Sequence, residues 1–387
     1  MRHPAEPYAG PPIKIVEITD RTVLSQAKTV NHHLSRYPQR PLSQLPDIKD
    51  VSADELAAWL AGHGEPAYRL GQIQKWLYIR QVDDFQDMTD LSKRLRGRLS
   101  EGFVCKRLQN EAVESSADGS RKYLFRLSDG AFIESVLMPE KDRSTLCISS
   151  QVGCAQGCLF CLTAKGGFVR NLSAGEIIAQ VRDIVHVAPE PRLTNIVVMG
   201  MGEPLANYGN MISAIRVITD AATGLGISRR RFTVSTAGLV SRMDALGRDT
   251  DVNLAVSLNA ADDATRSALM PVNRTYPLAD LLAACRRFPL PPRRRITFEY
   301  ILMAGVNDAD ADAVRLSKRL RGIPSKINLI PFNDYPGSPY RRPSDARVSA
   351  FQEILARRHH TVLVRLSRGQ DISAACGQLR ANAMARD

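Results

Sequence analysis

Seven cysteines occur in the 387 residues, at positions 105, 147, 154, 158, 161, 285 and 376. Three of them fall in Cys154-Ala155-Gln156-Gly157-Cys158-Leu159-Phe160-Cys161, a C-x3-C-x2-C spacing. The count is odd, and the opening MRHPAEPYAG has no apolar segment of a secretory signal, so a disulfide framework is not expected. Three thiols packed into eight residues are instead candidate metal ligands. A structural zinc site needs four closed ligands, and Cys147 is the one candidate for the fourth. A 4Fe–4S cluster held by three cysteines leaves one iron open to a small molecule. The second reading suits a three-thiol set better, and the first stays open on spacing alone.

The elements around this loop must hold it at a mouth or cleft. Apolar runs at Thr145–Ile148, Asn195–Met199, Phe232–Ser235, Asn253–Leu258, Ile296–Leu302 and Ile327–Ile330 read as strands, with Thr361–Leu366 a weaker seventh. Amphipathic segments lie between them. Ser173-Ala174-Gly175-Glu176 is a capping box opening one that buries Ile177, Ile178, Val181, Ile184 and Val185. Strands alternating with helices imply an α/β fold whose parallel sheet is covered on its outer face. Six such units suit a partial, TIM-like (β/α)6 barrel over residues 145–366. No Gly-x-Gly-x-x-Gly follows the first strand, so a dinucleotide fold is disfavoured.

Upstream, Ser52-Ala53-Asp54-Glu55 is a second capping box. Leu56, Trp59 and Leu60, then Ile73, Trp76 and Leu77, then Leu91, Leu95 and Leu99 repeat at helical spacing, so residues 51–104 read as a small helical accessory domain. Lys122–Leu127 and Ala131–Met138, joined by Ser128-Asp129-Gly130, predict a β-hairpin connector within 105–144. Residues 1–50 lack periodicity and read as a flexible extension; residues 367–387 read as a C-terminal loop.

Lys and Arg total 52 against 40 acids, a net charge of +12. Ten of that surplus lie in residues 281–387, which hold 17 Arg. The helical domain adds Arg69, Lys75, Arg80, Lys93, Arg94, Arg96 and Arg98. Such concentration fits a polyanionic partner, with nucleic acid the obvious one, or else a solvated arginine-rich surface. No apolar run of membrane-spanning length occurs, so no membrane partner is expected.

The C-x3-C-x2-C loop after a first barrel strand resembles the radical S-adenosylmethionine superfamily. Ser149–Gly153, Gly167–Leu172, Met199-Gly200-Met201-Gly202-Glu203-Pro204 and Arg368–Leu379 narrow the resemblance to the RlmN/Cfr family of RNA adenine methyltransferases, over residues 52–382. Pro204, where Cfr-type chains carry Ala, and Ile330-Pro331-Phe332-Asn333 are similar to the C2-methylating branch. The alternative within the family is Cfr-type methylation of C8. Outside it, the alternatives are a zinc-stabilised RNA-binding module and a radical enzyme of small molecules.

The resemblance implies one 4Fe–4S cluster on Cys154, Cys158 and Cys161, and two S-adenosylmethionines per turnover. It assigns Gly202, Glu203, Ser235, Ser257, Leu258, Asn259 and Asn333 to that cofactor. Glycine permits close backbone approach, a carboxylate can take an ammonium group, and hydroxyls and amides at strand ends suit ribose and carboxylate. Many relatives have His where this chain has Asn259.

The resemblance also implies Cys376 as methyl acceptor and Cys147 as the thiol that releases product, leaving a transient Cys147–Cys376 disulfide suited to a reducing cytoplasm. Small neighbours, Ala375 and Gly377, leave Cys376 accessible. Glu134 is the implied proton acceptor. Phe132, Val136 and Met138 share its strand face, and such an apolar setting would raise its proton affinity. The implied substrates are adenosine 2503 of 23S rRNA and adenosine 37 of tRNAs. The further expectations are an electron donor such as flavodoxin or ferredoxin, a monomer and a cytoplasmic location.

Overall fold

Ser52 opens the first helix, Ala53–Gly62, by accepting from the Glu55 amide while the Glu55 carboxylate accepts from the Ser52 amide. Two further helices follow, Tyr68–Gln74 and Lys93–Gly102. Leu56, Leu60, Ile73, Leu77, Leu95 and Leu99 point into one core, as their spacing requires. The computed structural model describes residues 45–188 and 192–379. Most of the expected N-terminal extension, residues 1–44, and the last eight positions lie outside the described residues.

One boundary moves. Residues 46–50, assigned by sequence to the flexible extension, belong to the helical domain. Ile48 is fully buried there, Val104 pairs with Asp47, and the Lys49 ammonium is held by the Asp47 carboxylate and the Lys106 carbonyl. A five-residue stretch with one Ile gives no periodic signal, so the burial of that Ile is not visible in the sequence.

Among the described residues twelve strands follow in chain order: β1 Gln109–Ser115, β2 Arg121–Arg126, β3 Phe132–Pro139, β4 Ser144–Cys147, β5 Gln151–Gly153, β6 Phe168–Asn171, β7 Leu193–Val198, β8 Phe232–Thr236, β9 Asn253–Ser257, β10 Ile296–Leu302, β11 Ser325–Pro331 and β12 Val362–Val364. Ten form one sheet in the order β1-β2-β3-β4-β7-β8-β9-β10-β11-β12; β5 and β6 form a separate ribbon. From β4 to β12 the pairing is parallel, with a helix in each connection, because a parallel crossover needs a dozen or more residues. Six βα units and a three-residue seventh strand thus match the expected incomplete barrel.

The connector is larger than the expected hairpin. It has three antiparallel strands and continues directly into β4 through β3. Its first strand, Gln109-Asn110-Glu111-Ala112-Val113-Glu114-Ser115, is mostly exposed and too polar to register as a strand.

The sheet does not close, and the C-terminal segment covers the seam. The Arg368 guanidinium donates to the Pro139 carbonyl at 2.6 Å, and the Gly369 amide to Asp118 at 2.9 Å. Asp371 accepts from the Ser116 hydroxyl at 2.6 Å and from the Ala117 amide at 3.1 Å. At the far end the Leu162 amide donates to the Gly377 carbonyl and the Thr163 hydroxyl to the Leu379 carbonyl. Among the described residues no helix is long and apolar enough to cross a membrane.

The helical domain is fastened to the barrel by Arg182, which is wholly buried on the helix Ala174–Val187. It donates to the carbonyls of Leu77 at 2.9 Å and Val82 at 2.7 Å, and pairs with Asp83 and Asp183. Arg182→Met should destabilise the protein by about 3–5 kcal/mol in denaturant unfolding, because Asp183 would stay buried without this partner. An unchanged unfolding midpoint would contradict that role.

Candidate active site

β4 ends at Cys147, and the chain turns through Ile148, Ser149 and Ser150 into β5. The β5–β6 ribbon then closes the base of the cysteine loop. Gly153 has φ +74°, and a Cβ there would stand 1.9 Å from the Gly167 carbonyl oxygen, so only glycine fits. The Cys154 amide donates to that same oxygen at 2.8 Å. The loop is thereby fixed at its neck, with Cys154, Cys158 and Cys161 half-buried on one cavity at the C-terminal mouth of the barrel.

Burial pushes the Cys154 thiol up to about 11, and it raises Cys158 as well, with the neighbouring cysteines adding to the effect. As thiolates these side chains need positive charge close by, which bound iron supplies. Among the described residues no three His, Cys, Asp or Glu side chains converge on a single ion. Three thiols from one short loop, opening on one cavity, fit a cluster with one iron left open.

The strand ends supply the other walls. Gly202 has φ +100°, and a Cβ there would meet Gln151 at 2.5 Å. Glu203 follows, 3% exposed, accepting from the amides of Ala237 at 2.7 Å and Leu205 at 3.0 Å. Burial pushes its carboxyl up to about 7, against those amides, and no ion pair reaches it among the described residues. It is a buried carboxyl group held by backbone amides. Ser235, Ser257 and Asn259 also line this cavity.

Two expected residues are not brought there. Leu258 faces the core, 1% exposed; its amide donates to Glu299 and its carbonyl accepts from Arg266. Asn333 is not on the cavity wall; it donates to the Ser367 hydroxyl and keeps a buried amide oxygen without a partner. Asn259 lines the cavity, but its side chain is occupied, accepting from the Ile301 amide and donating to the Met270 sulfur. In this chain it braces β10 at φ +57°, a role that a short amide performs.

Cys376 borders the three-cysteine cavity and also a second one, lined by Cys147, Arg230, Arg231, Lys326 and Arg365. Its side chain is exposed where these cavities meet; desolvation by the surrounding protein pushes its thiol up, against the pull of Arg365. Cys147, on β4, is pushed up to about 12 by burial and by the proximity of Cys376. Both thiols are free in the structure, so the expected disulfide between them is not formed.

Glu134 is 6% exposed on β3, but its surroundings differ from expectation. Lys122, on β2, places its ammonium 3.6 Å from the Glu134 carboxylate. Same-strand alternation could not reveal a cation arriving from the neighbouring strand. Glu134 lines neither cavity; Lys122 links it to the Ile372 carbonyl, four positions before Cys376.

Sequence reasoning missed two residues. Glu299 on β10 lines the three-cysteine cavity, with its carboxyl raised by burial and held by Asn328 at 2.9 Å. Its signal was a lone charge within Ile296-Thr297-Phe298-Glu299-Tyr300. Arg266, fully buried, ties together the carbonyls of Ala237, Ser257 and Leu258 behind the cavity, and no local pattern marks it.

Two outcomes are expected. Cys154→Ala protein, prepared without oxygen, should lose its brown iron–sulfur colour; an intact spectrum would reject the ligand assignment. Glu203→Gln should weaken S-adenosylmethionine binding about 10- to 100-fold, the worth of a charge-assisted hydrogen bond. In the parent protein, affinity should hold above pH ~7 and fall below it, as the carboxylate protonates and loses its pull on the ammonium; calorimetric titration of the Gln variant should be flat there.

Comparison with known proteins agrees with this geometry. Residues 46–105 match the ribosomal RNA large subunit methyltransferase N-terminal domain, and residues 148–316 match the radical SAM superfamily. A dual-specificity RNA methyltransferase RlmN of Desulfosudis oleivorans is 52% identical over 97% of this chain and 96% of its own length. The protein of the same name from Geobacter sulfurreducens is 56% identical over 86% of this chain and 92% of its own. The crystal structure of a radical SAM methyltransferase from Sphaerobacter thermophilus is 47% identical, with a TM-score of 0.82, over 87% of this chain and all of that one. Identity of this extent, across both the helical domain and the barrel, makes the chain a member of the RlmN family of radical SAM methyltransferases.

Proposed function

We propose that the protein is a dual-specificity RNA methyltransferase that places a methyl group on C2 of adenosine 2503 in 23S rRNA and adenosine 37 in tRNAs. The observation that carries the reading is Cys376, a free thiol standing between the three-cysteine cavity and a second cavity that holds Cys147 and several arginines.

Adenine C2 is electron-poor and offers no lone pair, so a sulfonium cannot methylate it by direct displacement. Cys154, Cys158 and Cys161 would hold a 4Fe–4S cluster, and with S-adenosylmethionine it would supply a hydrogen-abstracting 5′-deoxyadenosyl radical able to activate a methyl group on sulfur. The protein's part is to carry and aim that methyl. Cys376 accepts it from a first S-adenosylmethionine, its thiol proton passing to solvent and S-adenosylhomocysteine leaving. The resulting methylene bonds to C2. The adduct would then lose one electron to the oxidised electron donor and its C2 proton to Glu134, which restores the ring. The Cys147 thiolate would attack the Cys376 sulfur and form a disulfide, and the electron pair left on the methylene carbon would take a solvent proton to complete the methyl group. The resting thiols are then restored by external reductant.

The remaining assignments follow the walls of the cavity. Cys154, Cys158 and Cys161 hold the cluster. Gly202 and Glu203 receive the amino end of the cofactor, and Ser235, Ser257 and Asn259 flank the rest. Leu258 and Asn333 are left without direct contact. Arg230, Arg231, Lys326 and Arg365 face the second cavity and suit phosphate or base contacts of an adenosine turned out of its stack. A small flavodoxin or ferredoxin is the fitting electron donor, a monomer the fitting state, and a reducing cytoplasm the fitting compartment.

Pro204, and kinship with relatives named RlmN across nearly the whole chain, favour C2 over C8. In Cys147→Ala protein the RNA should stay covalently attached to Cys376, visible as a slow band on denaturing gels and as a modified Cys376 peptide by mass spectrometry. Recovery of free RNA alone would reject the resolving role.

A further inference from the structure

We infer that Lys122 is a positioning residue that locks the Cys376 loop to the Glu134 carboxylate. The inference rests on the roles proposed above for Cys376 and Glu134. Lys122 is 8% exposed, and a buried ammonium holds its place only where acceptors surround it. Three do so, from three different segments. The Ile372 carbonyl of the C-terminal segment accepts at 2.6 Å. Glu114 of β1 lies at 3.4 Å and Glu134 of β3 at 3.6 Å. The Ile372 contact is a hydrogen bond, and the two carboxylates hold the ammonium as ion pairs.

The geometry carries the effect to the sulfur. Three residues separate Ile372 from Cys376. Ala374 and Ala375 are buried, and Ser373 is held at φ +51°. Downstream of Cys376, the Gly377 carbonyl is fixed by the Leu162 amide beside the cysteine loop. The thiol is therefore suspended between two anchors, one at the cluster loop and one at Lys122. The second anchor is charge-bound to the group that receives the C2 proton. Moving Lys122 moves both partners of the proposed proton transfer relative to each other. The exchange of Asp118 and Asp371 between the β1–β2 turn and the segment 369–371 holds the outer part of the loop, so loss of Lys122 alone should leave the fold in place.

The test compares Lys122→Met and Lys122→Arg. In cluster-free protein, the rate of Cys376 alkylation by iodoacetamide, followed by peptide mass spectrometry, reads the position of the loop without any catalysis. It should rise severalfold in the Met variant and return toward the parent rate in the Arg variant, which keeps charge and donors. In reconstituted protein, formation of 2-methyladenosine should fall on the order of 10²-fold in the Met variant, the cost of small misplacement of reacting groups, while iron content stays at the parent level. Parent rates of both alkylation and methylation in Lys122→Met would overturn the proposal. So would equal failure of both variants to bind iron, which would make Lys122 a folding residue. A Glu134→Gln variant with full activity, beside faster alkylation in Lys122→Met, would uphold the tether and sink the role assigned to Glu134.

Discussion

An open parallel sheet leaves its own interior exposed along one side, and this constraint governs the rest of the molecule. β4 and β12 do not meet, so residues 367–379 must cover the seam. They do so by hydrogen bonds made largely by side chains of the β1–β2 turn and by the backbone beside the cysteine loop. The segment that closes the barrel is also the one that carries Cys376. Closure and delivery of the thiol are one structural event, and the antiparallel extension is the frame on which that event is built.

A second consequence concerns charge. The barrel mouth holds two buried carboxylates, Glu203 and Glu299, both raised by burial. Burying such groups costs free energy that a ligand of opposite charge recovers. A cationic cofactor bound beside Glu203 therefore gains from a site organised before it arrives. Ser149 helps to keep that organisation. Its hydroxyl donates to the Glu134 carbonyl at 2.6 Å and accepts from the Met201 amide at 2.9 Å, joining β3 to the Gly202-Glu203 turn. Gln180, fully buried, holds the Ser149 amide and carbonyl in turn. One polar network thus spans the strand of Glu134, the entry to the cysteine loop and the Gly202-Glu203 turn.

Local signals in the sequence were strong where chemistry or capping is local. The cysteine spacing, the boxes at Ser52 and Ser173 and the six apolar strands are all short-range patterns, and the structure contains them. What stayed hidden depends on partners far apart in the chain. Lys122 meets Ile372 across 250 positions, Arg182 meets Leu77 across 105, and the Leu162 amide meets Gly377. β1 was hidden because its face is wet, and Glu134 seemed apolar because only its own strand was considered. The backbone bonds of Leu258 could not be foreseen from residue type.

The central claim is that the methyl group travels by way of Cys376 and loses one hydrogen on the route. Turnover of oxygen-free enzyme on unmodified 23S rRNA, with S-adenosylmethionine bearing a trideuterated methyl group, tests this most directly. Mass spectrometry of the nucleosides should find 2-methyladenosine retaining two of the three deuterons, the third having left with 5′-deoxyadenosine. A methyl group arriving with all three deuterons, or one attached at C8, would contradict the account.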